Sequence, residues 1–367
     1  MHQICFFLTN FGKNHNESHR LLKIWVVLHD KIVGMSKKKR LNPHLKRKTK
    51  QTCLIVIVIV FTLGFTGLIA IDMALKGPSE LFSNLFITTL NETRRGKYLL
   101  DLYFTKEELQ AIEEKNSIKE SNSVTVNQDN EYIIPEEEKD DIRVIDIHGS
   151  TYTGKLMIVR DPSRIHLAYI GDIDPSMTRG IFLEEYVNHF GAIGGINAGG
   201  FMDPNWKSNG TQPMGLVIRD GQIVYGDPMY YNYLIGFNKN HKLYVGKMTG
   251  EQAVDWGMID AVSFGPSLIV NGIAEDISGS GGGLNPRTAI GQTWDGSVLL
   301  LTIDGRQTNS LGASYADMIQ IFLEYGACDA ANLDGGSSTV MVYNGSIINS
   351  PVSLQGDRAI PTAWIVK

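Results

Sequence analysis

The second half of the chain carries one pattern of apolar positions twice. Leu183, Tyr186, Val187 and Phe190 recur at i, i+3, i+4 and i+7, the stripe of a helix with one buried face. Met318, Ile321, Phe322 and Tyr325 repeat it 135 residues later. Both stripes stop at Gly-Ala, Gly191-Ala192 and Gly326-Ala327, where a glycine just past the last turn is an ordinary helix end. A glycine-bearing stretch follows each: Gly195-Ile196-Asn197-Ala198-Gly199-Gly200-Phe201, and Ala331-Asn332-Leu333-Asp334-Gly335-Gly336-Ser337-Ser338-Thr339. Then come an apolar strand and a tight turn, Asp220-Gly221 in one copy and Asn344-Gly345 in the other. The pattern predicts a helix–loop–hairpin unit used twice, a candidate pseudo-two-fold pair whose loops face one cleft. The period is too long for a solenoid. The copies differ chemically, because Asp334 stands where the first has Gly199.

Between the two copies and around them, short apolar runs alternate with turn residues. Strands are predicted at Val144–Ile147, Lys155–Val159, Ile165–Ile170, Met214–Ile218, Gln222–Tyr225, Thr288–Gln292 and Ser297–Ile303. The first helix is predicted over Thr178–Phe190, and Ser314 with Asp317 forms a capping box for the second, which makes Asp317 structural. The fold class is therefore α+β, with mixed or antiparallel sheets packed on two main helices. The glycine-rich run Ser278–Gly283 reads as a slack surface loop or a lid.

The upstream third differs in kind. Cys53–Ile71 is a run of nineteen residues without a charge. As a helix it spans about 28 Å, close to the thickness of a bilayer core. Lys37 to Lys50 is strongly basic, which places the N-terminus in the cytoplasm and everything after the run outside. The expected organisation is a cytoplasmic segment 1–52, a transmembrane anchor 53–73, with a cleaved signal peptide as its rival reading, an extracytoplasmic stalk 74–142 and a folded domain 143–367. Met35 resembles a natural start, so 1–34 reads as an over-long gene model. Within the acidic stalk, Thr105 and Glu108 form a capping box for a short helix ending near Lys115. The net charge of −5 hides this basic-to-acidic asymmetry. The basic residues sit beside the apolar run, where anionic lipid accounts for them, and nothing supports nucleic-acid binding. Of Cys5, Cys53 and Cys328 only the last lies in the outside part, so no disulfide forms within the domain.

Chemistry concentrates in the glycine loops. Glycine lets backbone N–H groups approach a ligand, and hydroxyls add donors suited to sugar or phosphate oxygens. Arg287 lies between the glycine-rich loop and a strand, and arginine suits bidentate contact with phosphate. Asp304 ends a strand in Asp304-Gly305-Arg306, a site position or plain turn chemistry. His148, His166, His189 and His241 show no paired metal-ligand spacing.

Taken together, Gly195–Phe201, Asn285-Pro286-Arg287-Thr288-Ala289-Ile290-Gly291, Asp304-Gly305-Arg306 and Asn332–Thr339 resemble the phosphodiester glycosidase family over roughly Arg143 to Lys367. Animal members place a third glycine, then serine and alanine, where this chain has Ser337-Ser338-Thr339. The resemblance implies a hydrolase that cleaves a sugar from a sugar-1-phosphate diester, with a phosphate-linked surface glycan or exopolysaccharide as substrate and partner. It implies Asp334 as base or nucleophile, Asp304 as second carboxylate and Arg287 on the phosphate. Asn197, Gly199, Gly200, Phe201, Ser267, Thr288, Asn332, Gly335, Gly336, Ser337, Ser338 and Thr339 then bind substrate. No cofactor is called for; a single carboxylate-bound divalent cation is left open. The competing reading is a membrane-anchored glycan-binding or assembly protein without catalysis, which binds and does not turn over.

Overall fold

The computed structural model describes residues 43–119, 122–126, 132–203, 208–352 and 358–367. Residues 1–42, with Met35 and the start of the basic block, lie outside them. The chain divides into two units, Met1–Ile71 and Asp72–Lys367. Helix α1 (Pro43–Lys76) contains the apolar run. Its Gln51–Lys76 stretch is 26 residues long and holds an 18-residue window with a mean hydropathy of 2.9. That is long and apolar enough to cross a membrane.

Three short helices follow, α2 (Glu80–Asn91), α3 (Arg94–Leu100) and α4 (Lys106–Lys115). The Thr105–Glu108 capping box opens α4 as the sequence predicts, with Glu108 N donating to Thr105 Oγ1 at 3.2 Å and Thr105 N to Glu108 Oε2 at 2.8 Å. The expectation of a bare stalk over 74–142 needs correction. Gly282 N donates to the Asn116 carbonyl and Ser280 N to Asn116 Oδ1 at 2.9 Å. Ile118 bridges Ile277, and Thr125 Oγ1 donates to the buried Asp329 at 2.8 Å. These bonds also tie down Ser278–Gly283, so that loop is not slack.

Among the described residues seventeen strands then run in order. They are β1 (Ile142–His148), β2 (Thr153–Val159), β3 (Ile165–Tyr169), β4 (Gly194–Asn197), β5 (Val217–Arg219), β6 (Gln222–Tyr225), β7 (Asn232–Asn238), β8 (Leu243–Met248), β9 (Met258–Ser263), β10 (Ser267–Val270), β11 (Ile273–Ala274), β12 (Arg287–Thr293), β13 (Val298–Ile303), β14 (Ala327–Leu333), β15 (Met341–Tyr343), β16 (Ser346–Ile347) and β17 (Thr362–Val366). Helices α5 (Leu183–His189), α6 (Gly250–Asp255) and α7 (Tyr315–Glu324) interrupt them. The strands form a seven-stranded sheet, β1-β2-β13-β12-β14-β10-β11, and two five-stranded sheets, β16-β15-β4-β17-β3 and β6-β5-β9-β7-β8. Every pairing among them is antiparallel.

Alternation along β13 shows why the large sheet is apolar on both faces. Leu299 and Leu301 join Met318, Ile321 and Phe322 of α7 in one core, while Val298 and Leu300 join Ile196 and Trp364 in another between the sheets. Trp364 meets Phe237 edge-on, ring centroids 5.4 Å apart, and so joins the two smaller sheets. The turns behave as their residues require: Asp220, Gly221, Asn344 and Gly345 have φ of 52°, 76°, 52° and 73°.

Two expectations change. Among the described residues there are seven α-helices rather than two main ones. Helix α5 begins at Leu183, the first residue of its stripe and five residues after the predicted Thr178, because the Asp174 carboxylate takes the Thr178 and Arg179 N–H groups at 2.8 and 3.2 Å. The two-fold relation is not established either. Each copy does run from helix to central strand, α5 to β4 and α7 to β14. The hairpins then diverge: β5–β6 enters the third sheet, whereas β15–β16 extends the sheet of β4.

Candidate active site

Although the copies lie in different sheets, their loops meet. Asp334 N donates to the Ala198 carbonyl at 3.1 Å, and Asn197 Nδ2 donates to the Asp334 carbonyl at 2.5 Å. Asn197 Oδ1 accepts from Thr288 Oγ1 at 2.8 Å and from Val340 N at 3.2 Å. Asn197 and Thr288 are fully buried. Both were expected to bind substrate; instead their polar atoms clamp the ends of β4, β12 and β14 together.

The glycines work by close approach. A Cβ at Gly335 would stand 2.7 Å from the Pro286 carbonyl oxygen, so only glycine lets this loop lie against the start of β12. Gly336 has φ 62°, in the left-handed region. In the first copy, Gly199 N donates to Thr362 Oγ1 at 3.0 Å, and Gly200 lies against Phe264 and Met214.

Asp334 is half-buried at this junction. Burial pushes its carboxyl up to about 6, against the pull of a hydrogen bond from Ser338, the Arg358 charge and the Gly335 N–H; Asp203 adds to the rise. Arg358 Nη1 donates to Ser337 Oγ at 2.8 Å, Nη2 pairs with Asp203, and the guanidinium lies 4.6 Å over the Phe201 ring. A carboxylate that titrates near neutrality, an arginine and two serine hydroxyls thus surround one bend.

Arg287 is elsewhere. It opens β12 with its side chain on the α7 face, opposite to that of Thr288. Nε donates to the Ala313 carbonyl at 3.2 Å and Nη2 to the Gly283 carbonyl at 2.9 Å. Its guanidinium stacks on Tyr315 at 4.4 Å and pairs with Glu92 at 3.1 Å. All three of its nitrogens donate within the chain and its charge is balanced by Glu92, where the sequence led to the expectation of a phosphate ligand. Asp304, the second carboxylate, is buried and accepts from Asn349 Nδ2 at 3.1 Å and Ser350 N at 2.9 Å, holding the turn after β16. Ser267 is spent on Glu275 at 3.0 Å. Asn332 Nδ2 donates to the Gly265 carbonyl at 2.8 Å, while its buried Oδ1 and the Thr339 hydroxyl find no partner among the described residues.

Sequence reasoning missed Arg358, Asp203 and Glu92, which no local pattern marks. Arg306 was within a quoted motif without a role. Its Nη2 donates to the Glu92 carbonyl at 3.2 Å and to Asn285 Oδ1 at 3.0 Å, beside Gly336.

The segment that holds β4 and Asp334, residues 190–367, matches the family model for phosphodiester glycosidases. That segment is similar to phosphodiester glycosidases. The chain is 32% identical over 166 residues to an uncharacterized SPbeta prophage-derived protein, YomE, of Bacillus subtilis, covering 42% of this chain and 25% of that protein. It is 37% identical over 68 residues to N-acetylglucosamine-1-phosphodiester alpha-N-acetylglucosaminidase of Bos taurus, covering 18% and 13%. The chain spans 13 to 32% of the length of the curated relatives it matches. The catalytic domain of the zebrafish N-acetylglucosamine-1-phosphodiester alpha-N-acetylglucosaminidase superposes with a TM-score of 0.51 at 21% identity, over 62% of this chain and 82% of that one. That likeness concerns the fold. Strands β1 to β3 and helix α5 precede the matched segment, yet β1 to β3 complete two of its sheets.

Proposed function

We propose that the domain hydrolyses sugar-1-phosphate diesters at the anomeric carbon, with Asp334 as the reacting carboxylate. The observation that carries this reading is the Asp334 carboxyl, raised to about 6 beside Arg358 within the family-matched segment. Above that pH Asp334 is ionised and acts as base on water or as nucleophile at the anomeric carbon. The bond from anomeric carbon to phosphate oxygen breaks, the sugar gains hydroxyl from water, and the phosphate monoester leaves with the bonding electrons. Phosphate is a good leaving group, so a strong general acid is not required. Arg358 and the Ser337 and Ser338 hydroxyls suit the leaving phosphate. In this reading Asn197, Thr288, Asp304 and Arg287 are positioning residues, and Gly335 and Gly336 hold the Asp334 loop, through the Gly335 N–H on the Asp334 carboxylate and Gly336 N donating to the Pro286 carbonyl at 2.9 Å.

The same proposal takes α1 as an uncleaved single-pass anchor with the basic N-terminus in the cytoplasm, which leaves the domain outside on a phosphate-linked surface glycan or exopolysaccharide. The test is to incubate the full chain in detergent with sugar-1-phosphate diesters and measure released reducing sugar. Turnover that Asp334→Asn abolishes supports the reading. Binding without turnover in the unmodified chain sinks it in favour of a glycan-binding protein.

A further inference from the structure

The helices that replace the expected stalk present an apolar surface that nothing in the domain covers. Helix α2 starts three residues after α1 ends, once Gly77-Pro78-Ser79 has broken the helix. The join is gripped on the domain side. Leu75 is buried, and Lys76 Nζ lies 5.6 and 5.5 Å over the Tyr103 and Phe104 rings. Helix α2 turns Ser83, Ile87, Thr88 and Asn91 inward. Its far end is fastened by Leu284 N donating to Thr89 Oγ1 at 2.9 Å and by the Glu92–Arg287 pair.

What remains outward is unusual for a water-facing layer. Leu81, Phe82, Tyr98 and Leu102 are 64, 55, 64 and 67% exposed. Arg94, Arg95 and Lys97 of α3 are exposed as well, against the exposed acidic Glu80 and Asp101. Short helices that mix exposed apolar and aromatic side chains with arginines are built for the headgroup region of a bilayer, where rings sit at the interface and cations meet anionic lipid. Their position in the chain selects that occupant over a protein partner, since they follow directly on a helix apolar enough to span.

We propose that α2, α3 and the turn to Leu102 form a platform that lies in the headgroup layer of an anionic bilayer and seats the glycosidase domain against it. This rests on the proposed membrane span. The domain then works at the membrane surface rather than at the end of a spacer.

The test uses the full chain in vesicles of phosphatidylcholine and phosphatidylglycerol. Leu81→Cys, Tyr98→Cys and Trp294→Cys are made singly, with Cys5 and Cys53 replaced by serine. Cys328 is buried with its thiol pushed up to about 12, chiefly by that burial, and does not label. Trp294 is 63% exposed on the β12–β13 turn, at the end of the large sheet away from Asp334, and serves as the aqueous control. Each cysteine takes a polarity-sensitive dye. The expected result is a blue shift and loss of emission to shallow doxyl-labelled lipid at Leu81 and Tyr98, with neither at Trp294. Equal quenching at all three positions in chains that float with the vesicles overturns the platform and leaves the anchor standing. A blue shift without lipid quenching means that protein covers the layer, and also overturns it. A chain that does not float refutes anchor and platform together.

Discussion

Asp334 concentrates the chemistry in one titration. Its ionised form is the reactive one under the proposed mechanism, and the carboxyl is held near 6, so kcat/KM should rise with pH through a limb centred there. The sign separates mechanisms: a carboxyl acting as general acid would give a falling limb at the same place. Asp334→Asn should lower kcat by about 10²–10⁴-fold and leave the remaining activity without that limb. Arg358 stabilises the ionised carboxylate, so Arg358→Gln should move the limb to higher pH. It should also raise KM for a phosphodiester more than for a neutral glycoside. A pH–rate series on both variants checks this; an unmoved limb in Arg358→Gln removes the arginine from the site. Arg358 was hard to read in the sequence for a physical reason. It lies 24 residues beyond Asp334, and only the return of the chain into β17 brings it back to Ser337.

At the scale of elements, local chemistry was legible and long-range polar contacts were not. The capping boxes at Thr105 and Ser314 and the Asp-Gly and Asn-Gly turns depend on residues within four positions of one another, and they stand as read. The convergence of the two glycine loops was also foreseen, through Asn197 and Asp334. The direction of Arg287 was not, because one step along a strand reverses the face, and only the packing of α7 decides which face holds Tyr315 and Glu92. The same reasoning divides the two carboxylates. Asp304 holds Asn349 and Ser350, so Asp304→Asn should cost about 1–3 kcal/mol in urea unfolding yet keep kcat within about tenfold. A collapse of kcat in a variant that unfolds normally would return Asp304 to the reaction. Asn197→Ala, which strands Thr288 Oγ1, Val340 N and the Asp334 carbonyl, should destabilise by more than about 2 kcal/mol.

For the whole molecule the decisive question is where the working unit begins. Composition places a boundary near Arg143, because the preceding tract is acidic, polar and poor in periodic apolar positions. The contacts place it near Asp72. Glu92 neutralises the buried Arg287, Thr125 donates to the buried Asp329, and Asn116 holds the glycine-rich loop. Each is a single bond across more than a hundred residues, so none leaves a pattern in the local sequence. A fragment starting at Arg143 therefore keeps every strand, β1 short only of Ile142, but takes one partner from each of two buried groups, Arg287 and Asp329. Each lost partner costs about 1–3 kcal/mol, so it should be at least about 2 kcal/mol less stable than one starting at Asp72. For a domain of this size that corresponds to a Tm lower by at least about 4 °C. Thermal unfolding of the two fragments, followed by near-ultraviolet circular dichroism, measures the difference. Equal midpoints would restore the stalk, because they would mean that residues 72–142 rest on the domain without stabilising it.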